Sequence, residues 1–187
     1  IMMILAAAML LISSCASLSP YGVGRVKRYT FVDESVPVGL DGYKIAFISD
    51  LHYPSLFTPK RLEKLVRKLK QEAPNMLLLG GDYVTDSDSI DVLFESLSAA
   101  MPRWNTFAVL GNHDKRESFR RCDPEKLIIV DGVTHIFLRC EDENRWYEKT
   151  FEIVCCHYPL MTWSHRDRGA INLFGHIHSG NRSENDY

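Results

Sequence analysis

The sequence has 187 residues, a length that suits one ordinary domain. Its hydrophobic fraction of 45% is sufficient to fill a core, and its formal net charge of -2 excludes a general nucleic-acid-binding signature. The five cysteines show no CxxC or Cys/His spacing, which excludes a structural zinc site of the usual kind.

The chain begins with a continuous apolar run over residues 1–12, followed by two serines and Cys15. About a dozen apolar residues are too few to span a bilayer, which needs about 20, but they suit the h-region of a signal peptide. Residues 11–15 also resemble a bacterial lipobox, whose cysteine becomes lipidated. We therefore expect residues 1–15 to be a signal-peptide or lipobox-like segment, and the protein to be exported and membrane-anchored at Cys15. The alternatives are a cleaved secretory signal in which the cysteine is incidental, or a packed apolar helix. If the segment is not a signal, the protein is expected in the cytoplasm.

Residues 16–40 are interpreted as a linker rich in Ser, Pro and Gly, together with a first strand, and residues 41–187 as the main domain. In the main domain, apolar periodicity predicts strands over 44–49, 76–79 and 106–110, and helices over 59–73 and 90–100. This alternation is typical of a parallel sheet with crossover helices. Later strands are predicted near 127–130, 134–138, 151–156 and 171–174. No clear helix separates the first pairs of these, which favours an antiparallel or mixed sheet there.

The strong strands are followed at once by acidic, histidine or amide side chains. These side chains are Asp50, His52, Asp82, Asn112, His113, Asp114, His157, His176 and His178. Because ligands gather at the carboxyl ends of strands in open α/β sheets, we expect the side chains to form one pocket. Carboxylates crowded in such a pocket repel each other, and divalent cations relieve that repulsion. Mixed His, Asp and Asn ligation suits Mn, Fe, Zn, Co or Ni, and the set suffices for two ions about 3.5–4 Å apart.

The motifs DLH, GGD, GNHD, CCHYP and GHIH occur in this order between residues 50 and 178, and they resemble those of the calcineurin-like metallophosphoesterases. The resemblance implies an α/β fold of layered mixed sheets, an αββα sandwich. Proteins of this kind continue past the last motif with further strands, so we expect this chain to be truncated at its C-terminal end.

The same resemblance implies a ligand set for two divalent ions. The first ion would be bound by Asp50, His52 and His178. Asp82 would bridge the two ions. The second ion would also be bound by Asn112, His157 and His176. A metal-bridging hydroxide would attack phosphorus in line. His113 would lie beside the ions and stabilise the transition state or protonate the leaving oxygen. Asp114 would orient His113, or else cap a helix that begins there.

The residues after the bridging aspartate indicate which class of substrate is expected. Protein Ser/Thr phosphatases carry GDxxDRG, whereas Thr85 and Asp86 stand here in place of the second aspartate and the phosphate-clamping arginine. The sequence is closer to small bacterial phosphodiesterase-like members, some of which are membrane-associated. We expect a metal-dependent phosphoester hydrolase of that type; the alternative is a catalytically weak, metal-dependent binding protein for a phosphorylated ligand. No feature predicts nucleic-acid binding or an obligate protein partner.

Three further side chains have ordinary interpretations beside functional ones. His135 is expected to be a hydrogen-bonded strand residue and not a ligand. His165 lies in a polar loop that is expected to be solvated, although the loop's arginines would suit contact with a substrate phosphate. Tyr158 is expected either to line the pocket or to pack around the metal-binding loops.

Overall fold

The computed structural model describes residues 7–13, 25–34, 36–120, 122, 125–139 and 150–176. Two residues with predicted roles, Cys15 and His178, lie outside the described residues. Within residues 7–13 the structure describes the backbone and its pairing.

The described residues form strands and helices close to those predicted from residue 44 onward. The strands are β1 (Ala7–Ser13), β2 (Arg25–Phe31), β3 (Lys44–Ser49), β4 (Met76–Leu79), β5 (Thr106–Val109), β6 (Ile128–Val130), β7 (Thr134–Arg139), β8 (Thr150–Cys156) and β9 (Ile171–Phe174). The α-helices are α1 (Pro59–Glu72) and α2 (Ile90–Ser98). The predicted boundaries differ from these by only a residue or two, because apolar periodicity and Pro signals are strong in this part of the chain.

Helix α1 begins and ends where its sequence predicts. Thr58 is the N-cap residue, and Pro59 occupies the first helical position, where a missing N–H costs no hydrogen bond. The helix ends at Ala73, which adopts a left-handed φ of 47° and donates its N–H to the carbonyl of Leu69 at 2.8 Å.

The strands are arranged in two sheets. The first has the order β2-β1-β3-β4-β5-β6, in which β2 runs antiparallel to β1 and all other neighbours are parallel. The second has the order β7-β8-β9, with β7 antiparallel and β9 parallel to β8. Strand β6, which was expected in the later antiparallel or mixed group, therefore extends the parallel sheet. Its crossover contains the short 3₁₀ turn Arg116–Phe119, which is too short to produce helical periodicity.

Strand β1 is an interior strand of the first sheet, which the sequence did not predict. Its residues pair with β2 on one side and with β3 on the other. A continuous apolar run of this length is compatible with a strand covered on both faces, and periodicity does not distinguish that strand from a helix. In the described part of the chain, no helix has the length and apolarity needed to cross a membrane.

Two apolar cores lie on opposite faces of the first sheet. Alternate residues of β3 divide between them: Ala46 and Ile48 pack with the buried leucines of α1 and α2, whereas Ile45 and Phe47 pack with residues of the second sheet. The described residues thus form a helical layer, the first sheet and the second sheet, which confirms the layered α/β fold. The fourth, helical layer of the expected αββα sandwich is not contained in the described part.

Candidate metal centre

The polar loops meet where the two sheets adjoin. Asp50 and Asp82 follow β3 and β4 of the first sheet, whereas His157 and His176 follow β8 and β9 of the second. Each of these four side chains offers a ligand atom, and the four atoms lie within 4.8 Å of one another. The sequence predicts a single pocket at the carboxyl ends of strands. The tendency of ligands to bind at these strand ends does not indicate that two sheets contribute to the pocket.

Backbone conformation directs these donors inward. Asp50, His52, Asp82 and His176 have left-handed φ values of 55°, 47°, 56° and 52°. Residues other than glycine rarely adopt this conformation, which occurs at functional sites where the surroundings enforce it. Here the loops enforce it by pairing: Asp50 N–H donates to the carbonyl of Gly81 at 2.9 Å, and His52 N–H donates to the carbonyl of Asp82 at 3.0 Å.

The ring of His157 is oriented by a hydrogen bond from its Nδ1. Its Nδ1 lies 2.7 Å from the carbonyl oxygen of Gly80, to which it donates, so Nε2 faces the cluster. That Nε2 lies 3.4 Å from Asp82 Oδ2 and 3.1 Å from His176 Nδ1. Oxygen and imidazole donors around one space match the preference of first-row divalent cations, so the residues fit such ions.

Asp82 is buried and ionised. Its side chain is 2% exposed, and burial alone raises the pKa of its carboxyl. Hydrogen bonds from His157 and from the backbone N–H of His113 outweigh burial, so the pKa of Asp82 is lowered. For His157, burial lowers the pKa, but the contacts with Asp82 and with the Gly80 carbonyl raise it further than burial lowers it. An ionised carboxylate is the form in which aspartate binds a metal ion.

The other predicted site residues lie around this cluster. His52 Nε2 is 3.7 Å from Asp82 Oδ2, and Asn112 Oδ1 is 3.2 Å from His157 Nε2. The exposed ring of His113 stands edge-on to the ring of His52, with centroids 5.3 Å apart. The division of the ligands between two ions stays a prediction, and His178 lies outside the described residues.

Asp114 makes contacts that neither of its expected roles includes. Its Oδ2 accepts the backbone N–H groups of Asp82 and Gly111, each at 2.8 Å, and its Oδ1 accepts that of Tyr83 at 3.0 Å. Burial raises the pKa of this carboxyl, and the three N–H groups offset the rise only in part. Among the described residues it makes no hydrogen bond to His113, and no α-helix begins there. Asp114 instead ties the loop after β5 to the loop after β4.

Sequence reasoning missed the contacts that position Asp50. The hydroxyl of Ser49 donates to Asp50 Oδ2, and the backbone N–H of His176 donates to the same oxygen at 3.1 Å. A Cβ at Gly175 would collide with Ser49 Oγ, so glycine permits this approach. A serine at a strand end carries no signal of such a role, because its partner lies far away in the sequence.

A second polar cluster lies outside the metal centre. Glu152 on β8 receives His135 Nδ1 at 2.6 Å and His165 Nδ1 at 2.5 Å, one on each carboxylate oxygen. His135 is therefore a hydrogen-bonded strand residue, as predicted. His165 is exposed, as expected, but it also ties its loop to β8.

The sequence is similar to a known family and to several known proteins. The family profile described as calcineurin-like phosphoesterase matches residues 43–186. An uncharacterized metallophosphoesterase of Aquifex aeolicus is 35% identical over 48% of this chain and 34% of its own length. Phosphodiesterase YaeI of Escherichia coli is 37% identical over 46% of this chain and 30% of its own length. UDP-2,3-diacylglucosamine pyrophosphatase LpxG of Chlamydia muridarum is 36% identical over 40% of this chain and 23% of its own length.

These matches cover between 23% and 34% of each relative, so they concern the shared domain and not the whole proteins. The family profile, in contrast, covers most of this chain and all of the motifs that supply the donors. The resemblance inferred from the motifs is thereby confirmed, and the chain belongs to the calcineurin-like phosphoesterases.

Proposed function

We propose that this protein is a metal-dependent phosphoester hydrolase of the phosphodiesterase or pyrophosphatase type. The observation that carries the proposal is the convergence of Asp50, Asp82, His157 and His176 within 4.8 Å, with the ring of His113 exposed beside them. The relatives named as a phosphodiesterase and a pyrophosphatase support the same class of substrate bond.

A pair of divalent ions, of Mn, Fe, Zn, Co or Ni, would be held by this donor set. Bound ions supply Lewis acidity at a phosphoryl oxygen and lower the pKa of coordinated water to about 7. The chain's own contribution is preorganisation. Hydrogen bonds to Gly80, Ser49 and His113 already fix the donors His157, Asp50 and Asp82 before any ion binds.

His113 is the residue best placed to assist the leaving group. Its backbone N–H donates to Asp82 Oδ1 at 3.0 Å, which fixes the residue beside the donors while its ring stays exposed. An imidazole in that position is suited to donate a proton to the departing oxygen. A protein that only holds metal has no need of such a group, and this favours the enzyme over the binding protein.

The structure around Thr85 and Asp86 supports a substrate other than a phosphoprotein. Thr85 Oγ1 lies 2.9 Å from Ser55 Oγ, and Asp86 Oδ1 accepts the N–H of Ser89 at 3.0 Å immediately before α2. Both side chains thus participate in local structure, and no cation stands at either position to clamp a monoester phosphate.

Hydrolysis of bis-p-nitrophenyl phosphate by Mn²⁺-loaded protein tests the proposal. We expect His113→Ala to reduce kcat by about 10²–10⁴-fold, the usual contribution of a general acid, with metal content unchanged. His135→Ala is the matched control, because this histidine lies on β7 in the second polar cluster. A wild-type protein that binds Mn²⁺ stoichiometrically but cleaves neither diesters nor monoesters would exclude the enzyme and favour the binding protein.

We also propose, from residues 1–15, that the protein is exported and anchored to a membrane through a lipidated Cys15. The short apolar run and the lipobox-like residues 11–15 support this location. The cytoplasm is the alternative.

A further inference from the structure

Tyr158, which follows His157 directly, contacts three of the predicted metal ligands. Its hydroxyl donates to Asn112 Oδ1 at 3.2 Å. Its ring packs edge-on against the rings of His157 and His176, with centroid separations of 4.9 Å and 4.6 Å. These three residues are the ones that the motifs assign to the second ion in addition to the bridging aspartate.

The position of Tyr158 is itself fixed, although half of the residue is exposed. The thiol of Cys156 donates to the Tyr158 carbonyl at 3.0 Å, and Asn172 Nδ2 donates to the same sulfur at 3.3 Å. Both Cys156 and Asn172 belong to paired strands, β8 and β9. The backbone of Tyr158 is therefore held by the second sheet, and the contacts with Asn112, His157 and His176 hold its side chain.

The hydrogen bond from Tyr158 helps to fix the orientation of Asn112. Asn112 is exposed, and its Oδ1 faces His157 Nε2 at 3.2 Å. His157 donates from Nδ1 to the carbonyl of Gly80, so its Nε2 faces the same space as Asn112 Oδ1. The phenol O–H occupies the second lone pair of Oδ1 and holds the amide oxygen where it serves as a ligand.

We propose that Tyr158 is a positioning residue that preorganises Asn112, His157 and His176 and thereby raises the affinity of the second position for a divalent cation. This inference rests on the proposed function, because it requires a centre that binds divalent ions. Hydrogen-bonding partners of metal ligands typically contribute about 10–100-fold to metal affinity.

Two substitutions distinguish the contribution of the Tyr158 hydroxyl to metal affinity from that of its ring. Tyr158→Phe removes the bond to Asn112 and keeps the ring, whereas Tyr158→Ala removes both. In calorimetric titration of the metal-free chain with Mn²⁺, we expect Tyr158→Phe to raise the dissociation constant of one ion about tenfold and to leave the other unchanged. Tyr158→Ala is expected to approach a 100-fold increase. Tyr29→Phe, at a similarly exposed tyrosine on β2 (45% exposed), is the matched control and should titrate like wild type.

Activity measurements distinguish metal positioning from other roles of Tyr158. Saturating Mn²⁺ should restore the kcat of Tyr158→Phe to the wild-type value, because occupancy alone is lost, and the melting temperature should stay unchanged. A low kcat at saturating Mn²⁺ with normal ion affinity would indicate that Tyr158 contacts the substrate, and it would overturn the inference. Normal ion affinity in both Tyr158 variants would also overturn it. A wild-type protein that binds Mn²⁺ without hydrolysing esters would overturn the proposed function alone, with weakened binding by Tyr158→Phe still supporting the inference.

Discussion

Glu152 is a buried acid that the metal centre does not use. Its side chain is 6% exposed and joins His135 on β7 to His165 in the loop before β9. Burial raises the pKa of its carboxyl, but the hydrogen bonds from the two histidines outweigh burial, and the pKa is lowered. An acid whose native pKa is lowered stabilises the fold fully above its ordinary value of about 4.3, and the contribution is lost as pH falls through the native pKa.

Glu152→Gln is therefore expected to destabilise the protein in a pH-dependent manner. At neutral pH the variant should lose about 2 kcal/mol of unfolding free energy, the range for hydrogen bonds to a charged group. The difference from wild type should shrink as pH falls below about 4.3, the ordinary pKa of a glutamate, and should vanish once the native carboxylate is also protonated. Urea denaturation over a pH series measures both effects. Glu125→Gln, at an exposed acid 3.8 Å from Arg103, is the control, and a pH-independent loss in Glu152→Gln would contradict this account.

At the scale of secondary structure, the exit from β4 is packed more closely than a turn alone requires. Gly81 has a φ of 96°, and a Cβ there would lie 2.6 Å from His157 Nδ1 and 2.7 Å from the backbone nitrogen of Gly111. Glycine is needed both for the left-handed conformation and for the space. The need for space at Gly81 arises because the loop after β4 packs against His157, which follows β8.

Gly81→Ala is expected to lower both stability and Mn²⁺ affinity, because the new methyl group displaces the His157 ring from the Gly80 carbonyl. Gly42→Ala is the matched control: its φ of 72° is also left-handed, but no atom lies within 4 Å of a Cβ there. Conformational strain should cost each variant about 1 kcal/mol, and overpacking should cost Gly81→Ala about 1–3 kcal/mol more. Equal losses of unfolding free energy and unchanged Mn²⁺ affinity would show that the loop relaxes around the methyl group.

Elements with a strong local pattern were predictable from the sequence, and those defined by distant partners were not. Helix α1 carries its own start and stop signals, and β3 and β4 carry compact apolar runs. Strand β6 has only three residues, and nothing in them indicates that they pair with β5. Strand β1 has an apolar run that suits a leader, a helix or a covered strand equally well.

At the scale of the whole molecule, the candidate site was also predictable only where it depends on local sequence patterns. The motifs identified which residues approach one another, because each follows a strand whose carboxyl end reaches the same region. They did not indicate that β8 and β9 belong to a second sheet, nor that Asp114 accepts three backbone N–H groups. Those features depend on packing between layers, which has no local signature in the sequence.

Membrane attachment is a prediction for the whole molecule. If Cys15 is lipidated, wild-type protein should fractionate with membranes, whereas Cys15→Ala should be released. Cys122→Ala is the control, because this residue is a free cysteine in the described part of the chain. Equal membrane association of wild type and Cys15→Ala would exclude lipidation at that cysteine. The intact mass of the membrane-bound form would show whether residues 1–14 have been removed.

Because β1 lies inside the first sheet, removal of residues 1–14 would change the fold. Cleavage before Cys15 would remove Ala7–Ser13, which separates β2 from β3. Strand β2 would lose the neighbour it pairs with, and β3 would become an edge strand with unpaired N–H and C=O groups. The β3 amides would then be protected from exchange with solvent only in molecules that retain the apolar segment, or in those where another strand replaces it.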